Sequence, residues 1–119
     1  MKLDDAAQKL SAIGHPIRLN VFRQLMNAGP AGLTAGEIAR RLVMSPSSLN
    51  FHLRTLQQQG LVSSRHQGRF VIYTASFEAM SSLLGYLTQD CCGGNPCLPQ
   101  SRQTFQQQCA PKRAVKLES

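Results

Sequence analysis

The sequence predicts a mainly α fold carrying one β-hairpin, an α+β class, and three observations support this. Apolar residues recur at helical spacing from Leu3 to Leu56, so the first half of the chain reads as helices. After Gly60 the period drops to two, through Leu61–Arg65 and Phe70–Thr74, and the four residues between, His66-Gln67-Gly68-Arg69, contain the glycine a hairpin loop wants. A last helical stripe follows Ser76. A chain of 119 residues fits one domain with a modest core.

Taken in order, Leu3, Ala6, Leu10 and Ile13 give a first amphipathic helix stopped by Gly14. A second helix opens at Pro16, with His15 as its cap, and runs to about Asn27 with Ile17, Val21, Phe22 and Leu25 inward. Ala28-Gly29-Pro30 ends it. Thr34-Ala35-Gly36-Glu37 is a capping-box sequence, Thr34 as N-cap and Glu37 at N3. The third helix that it opens turns Ile38, Ala39 and Leu42 inward and ends near Val43.

The fourth helix organises the rest. Ser45 is placed to cap it, Pro46 suits its first position, and Gly60 stands where a left-handed residue ends it. Leu49, Leu53 and Leu56 form its apolar edge, while Ser47, Phe51, Arg54 and Gln58 lie opposite, flanked by Asn50 and Thr55. That outer edge has no carboxylate. Only Val43-Met44-Ser45 separates the third and fourth helices, so the pair reads as a helix-turn-helix, and with the hairpin behind it as a winged helix-turn-helix. In the last helix Phe77, Met80, Leu83, Leu84 and Leu87 share a face. Gly85 within it costs about 1 kcal/mol relative to Ala, which a close helix neighbour offsets. A further apolar stripe beyond the core, with the first helix beside it, predicts a homodimer through the first and last helices; the plainer alternative is that both cover the monomer.

The charge agrees with this architecture. The net charge of +7 favours a polyanionic partner. Between Thr34 and Tyr73 the only acid is Glu37, against Arg40, Arg41, Arg54, Arg65 and Arg69. The expected partner is therefore double-stranded DNA, with Ser47, Ser48, Asn50, Phe51 and Arg54 in the major groove and Arg65 and Arg69 on the backbone or minor groove. His52 reads as packing or a phosphate contact, and His66 as a phosphate contact. No Ser/His/Asp set, carboxylate pair or phosphate-cradling glycine loop is visible, so an enzyme is not expected. No apolar run approaches the ~20 residues of a membrane span, and Asp4 and Asp5 stand where a signal peptide would turn apolar. A cytoplasmic location follows as an expectation.

Gly14-His15-Pro16-Ile17-Arg18-Leu19, the run from Ser47 to Leu56, and Gly60-Leu61-Val62 leading to Gly68-Arg69-Phe70-Val71-Ile72-Tyr73 together resemble the ArsR/SmtB family of metalloregulatory repressors. The resemblance covers residues 3 to about 90. It implies a dimeric winged helix-turn-helix repressor that releases its operator when an effector binds, reading bases from Ser47, Asn50 and Phe51. Phe51 departs from the polar residue, often His, that the family has there, which points to an apolar contact such as a thymine methyl. The family's best-known Cys-x-Cys site has no counterpart, because Gly36 to Val43 lacks cysteine. The zinc-sensing ligands are missing too, since Met80 to Gln89 holds neither His nor carboxylate. What remains resembles an arsenite-responsive subgroup with a vicinal cysteine pair and a third cysteine past the last helix, here Cys91, Cys92 and Cys97.

The chemistry of that cluster points the same way. All four cysteines lie in the last quarter of the chain, a pattern that in a reducing compartment favours metal binding or thiol chemistry. Three close thiolates suit trivalent arsenic as effector, with antimonite and methylarsenite as relatives; methylarsenite needs only two thiols, so the third favours the inorganic form. Gly93 and Gly94 let the chain fold back, and Pro96 restricts the approach of Cys97. Cys109 reads as a bystander, with a fourth ligand as the alternative. A structural zinc site, a disulfide switch and inert cysteines are the competing readings. The division expected is 1–90 for DNA binding and dimerisation and 91–119 for the effector loop and a polar tail. The chief alternative function is a thiol-based metalloid carrier without DNA binding, or a redox-responsive regulator.

Overall fold

The computed structural model describes residues 1–89. The element order is α1 (Leu3–Ile13), α2 (Pro16–Ala28), a 3-10 turn (Gly29–Ala31), β1 (Leu33–Thr34), α3 (Ala35–Leu42), α4 (Pro46–Gln58), β2 (Val62–Gln67), β3 (Phe70–Ala75) and α5 (Phe77–Leu87). This is a winged helix-turn-helix of five helices and a three-stranded antiparallel sheet. The chain divides between Phe77 and Glu78 into two compact units.

The larger unit, Lys2–Phe77, builds its core from the predicted apolar edges. Val21, Phe22 and Leu25 of α2, Ile38 and Ala39 of α3, and Leu49, Leu53 and Leu56 of α4 are all buried, with Leu33, Leu61 and Val62 closing the sheet side. α4 packs on α1, α2, α3 and β2 at once. Its inner edge is thus the centre of the core, and its orientation is set from four directions.

The starts of α2, α3 and α4 follow from side-chain caps, whereas Lys2 ahead of α1 supplies none. His15 Nδ1 accepts the Ile17 N–H at 3.1 Å ahead of Pro16. Thr34 and Glu37 form the full capping box: Thr34 Oγ1 accepts the Glu37 N–H at 3.1 Å, and the Thr34 N–H donates to Glu37 Oε1 at 2.8 Å. The Thr34 N–H is the main reason the Glu37 carboxyl is held below its ordinary pKa, with the Thr34 hydroxyl, Arg40 and Arg41 helping. Ser45 Oγ accepts the Ser48 N–H at 3.3 Å at the head of α4.

The sheet differs from the expected hairpin in two ways. Leu33 and Thr34 add a third strand, in the order β1-β3-β2, pairing with Tyr73 and Ile72. Gly32 makes this possible, because a Cβ there would collide with the Tyr73 carbonyl and the Ile72 and Thr74 methyls. The hairpin is also longer than expected. His66 and Gln67 belong to β2, paired with Val71 and Phe70, so the loop shrinks to Gly68-Arg69. Gly68 has φ +64 and Arg69 does not share the positive φ, which fits a two-residue turn with glycine first.

In α1 the buried residues are Ala6 and Ala12, whereas Leu3 and Leu10 are 70% and 43% exposed. The leucines of this stripe therefore do not serve the core of Lys2–Phe77. In α5, Leu83 is buried and Leu87 is half-exposed, and a Cβ on Gly85 would meet nothing within 4 Å. No helix among the described residues is long and apolar enough to cross a membrane.

Candidate nucleic-acid interface

The outer edge of α4 is presented by the burial of its inner one. With Leu49, Leu53 and Leu56 fully inside, Ser47, Ser48, Asn50, Phe51, Arg54 and Gln58 all point to solvent. Phe51 is 60% exposed, a large apolar surface on a face of neutral hydrogen-bonding groups. Thr55 turns its hydroxyl back to the Phe51 carbonyl at 3.3 Å, which removes it from that face. Asn50 and Arg54 take no hydrogen-bond or ionic partner among the described residues. From Ile38 to Phe77 the chain has no acid at all.

The hairpin carries the second part of the surface. Arg69 sits at its turn, exposed and without a partner among the described residues. Arg65, expected beside it on DNA, points instead to the 3-10 turn: its Nη1 donates to the Pro30 carbonyl at 3.3 Å and its Nη2 to the Ala31 carbonyl at 3.4 Å. Gln57 Nε2 donates to Ser64 Oγ at 3.2 Å, tying the end of α4 to β2. α4 and the hairpin are thus linked by a direct bond.

Behind α4 lies a feature that the sequence did not reveal. Arg18 of α2 donates through Nε to the Ala12 carbonyl at the end of α1, and its Nη1 lies 3.4 Å from His52 Nδ1. The His15 and His52 rings are tilted against each other, centroids 4.8 Å apart. Burial lowers the His52 pKa below its ordinary value, and the charges of His15 and Arg18 lower it further. One signal was available: Arg18 falls three and four residues before Val21 and Phe22, a cation on the inward stripe of α2.

Cys91, Cys92, Cys97 and Cys109 lie outside the described residues, and the effector site read from the sequence lies there with them. Among the described residues no cluster of His, Cys, Asp or Glu could hold a metal ion.

A capped, acid-free helix set across a helix-turn-helix, with a cationic hairpin beside it, defines a DNA-binding regulator of the winged helix-turn-helix class. Comparison with known proteins agrees. The model of the helix-turn-helix domain family matches residues 13–65. The HTH-type transcriptional regulator YgaV of Escherichia coli K12 is 30% identical over 89 residues, covering 75% of this chain and 88% of that protein. A solved structure described as a possible transcriptional regulator for arsenical resistance is 26% identical, covers 67% of this chain and 80% of its own, and superposes with a TM-score of 0.60. An ArsR-like transcriptional regulator from Rhodococcus sp. RHA1 shares the fold across 98% of this chain and 96% of its own, with a TM-score of 0.63 at 22% identity. The chain belongs to the ArsR/SmtB family of winged helix-turn-helix transcriptional regulators.

Proposed function

We propose that the protein is a homodimeric repressor that leaves its operator when trivalent arsenic is taken up by the thiolates of Cys91, Cys92 and Cys97. The observation that carries this is the segment Cys91-Cys92-Gly93-Gly94-Asn95-Pro96-Cys97, which follows α5 within a few residues. Soft, three-coordinate donor sets of this kind match arsenite, with antimonite and methylarsenite as related ligands. The likeness to a regulator described in connection with arsenical resistance supports the same reading. Each thiol that engages gives up its proton, and a hydroxyl leaves the arsenic centre as water.

In this reading the exposed Leu3 and Leu10 of α1, with α5, form the dimer contact. The dimer sets two copies of α4 about one helical turn of DNA apart, roughly 34 Å. Ser47, Ser48, Asn50, Phe51 and Arg54 enter the major groove, with Phe51 against a thymine methyl, and Arg69 follows the backbone or minor groove, while Arg65 stays on the Pro30 and Ala31 carbonyls. Capture of the effector beside α5 changes that spacing. A coupling of about 1–3 kcal/mol weakens operator binding some 5–150-fold.

The test is a gel shift on the DNA upstream of the protein's own coding sequence, with and without arsenite. The wild type shifts the fragment and releases it with arsenite. Cys92→Ser shifts it equally and keeps it. Normal release by Cys92→Ser would show that the thiol site is wrong. Release by a thiol oxidant with none by arsenite would replace the metalloid by a disulfide switch.

A further inference from the structure

Arg18 occupies an unusual place for a cation. It is only partly exposed and touches three helices at once: it belongs to α2, donates to the last turn of α1 at Ala12, and meets His52 of α4. Both of its partners are neutral acceptors. Its hold on α4 therefore rests on the lone pair of one imidazole nitrogen. The neighbouring ring is arranged in the same way, because His15 Nδ1 already accepts the Ile17 N–H. A proton taken up by His52 goes to the nitrogen that is in use. At His52 the proton would also place an imidazolium against a guanidinium. The elements packed on α4 are α1, α2, α3 and β2, and the charged or titratable groups that face His52 from them are Arg18 and His15, at the head of α2. No carboxylate stands among these groups to neutralise a new charge. His52 immediately follows Asn50 and Phe51, so a tilt of α4 at this point moves the groups placed on base edges.

We propose that Arg18 is the positioning residue of the reading helix, acting through His52 to fix α4 on the corner of α1 and α2, and that this latch holds only while the His52 imidazole is neutral. The inference rests on the reading of α4 as the operator-contacting helix. It makes a distinctive demand on pH. Acid adds positive charge and strengthens generic attraction to phosphate. Opening the latch weakens only the contacts that depend on register. Discrimination between DNA sequences therefore falls with pH even where total binding does not. The sign follows from the lowered His52 pKa: the latch contributes fully above the ordinary histidine value, and its contribution is lost as pH falls from there through the lowered one.

The experiment compares two duplexes of equal length, the promoter fragment and a scrambled version, at about pH 7.5, above the ordinary histidine pKa, and at a pH below the His52 midpoint read by NMR titration of the free protein. The ratio of the two affinities removes the generic field. In the wild type the ratio falls at least about threefold between the two conditions. His52→Gln keeps an acceptor for Arg18 but does not titrate, so its ratio stays level. Arg18→Met, or Arg18→Lys if the first does not fold, has a low ratio at both pH values. A His52→Gln ratio that falls like the wild type's, or wild-type discrimination by the Arg18 variant, overturns the proposal. A second readout needs no DNA. In an NMR titration of the free protein, the His52 ring titrates at higher pH in Arg18→Met than in the wild type, and equal midpoints overturn the latch. Should the midpoints differ while neither duplex binds, the operator reading fails and the latch stands.

Discussion

α2 and α4 are built to one plan and spend their polar groups in opposite ways. Each has 13 residues, an N-cap side chain and proline at the first position. Each buries three large apolar residues in the same core. In α2 two long polar side chains are engaged with neighbouring elements: Arg18 meets α1 and α4, and Gln24 Oε1 accepts from Arg41 of α3 at 3.0 Å, while Arg23 is exposed. In α4 the polar groups of the outer edge from Asn50 to Gln58 find no acceptor or donor in a neighbouring element among the described residues. Both helices are equally well anchored, so the idle groups of α4 do not reflect a loose element. Unpaired hydrogen-bonding groups on a well-anchored helix are free to meet another molecule, as the proposed DNA contact requires.

Mutations on the two edges of α4 sharpen that contrast. The largest effect is expected inside. Leu53→Ala removes a side chain that is 1% exposed at the centre of the core and should cost about 2–5 kcal/mol, read as a fall in the denaturation midpoint with the slope unchanged. Asn50→Ala should be nearly silent in the same assay, within about 0.5 kcal/mol. It should instead lose about 1–3 kcal/mol of discrimination between the operator and a scrambled duplex. A large stability loss in Asn50→Ala, or full discrimination, would erase the distinction between anchoring and reading edges.

Legibility in the sequence followed the range of the interaction. Thr34 with Glu37, Ser45 with Pro46, and Gly60, which takes φ +73, act within one turn of their own backbone, and their chemistry is visible in a few letters. The three leucines of α4 needed only a period. What the letters hid depends on contacts between distant segments or on the absence of a usual marker. β1 is two residues long, and Thr34 already had a role as a cap, so nothing local distinguished its pairing with Ile72. Val43 takes a left-handed φ of +53 between α3 and α4, where glycine or asparagine would have announced the turn. The Arg18–His52 contact joins residues 34 apart. For Leu3 and Leu10 the sequence left a dimer contact and a cover for the monomer both open, because periodicity reports that a face is apolar and says nothing of what covers it. The candidate site followed the same rule: the outer edge of α4 was readable as the complement of the inner one, whereas the direction of Arg65 was not.

The wing allows a finer test of the same contrast, since its two arginines repeat it within one hairpin. Arg69 stands at the turn with no partner among the described residues, and Arg65 is tied to the Pro30 and Ala31 carbonyls. Were net charge all that mattered, removing either would weaken DNA binding alike. The geometry separates them. Arg69→Ala should weaken binding to every sequence to a similar degree and lower the slope of log affinity against log salt by about one per protomer. Arg65→Ala should leave most of that slope in place and cost stability, about 0.5 kcal/mol, because its bonds are long and exposed and hold the 3-10 turn to the sheet. Equal losses of salt slope in the two variants would mean that Arg65 leaves its carbonyls for phosphate when DNA arrives, and that the wing, unlike α4, is remade on binding.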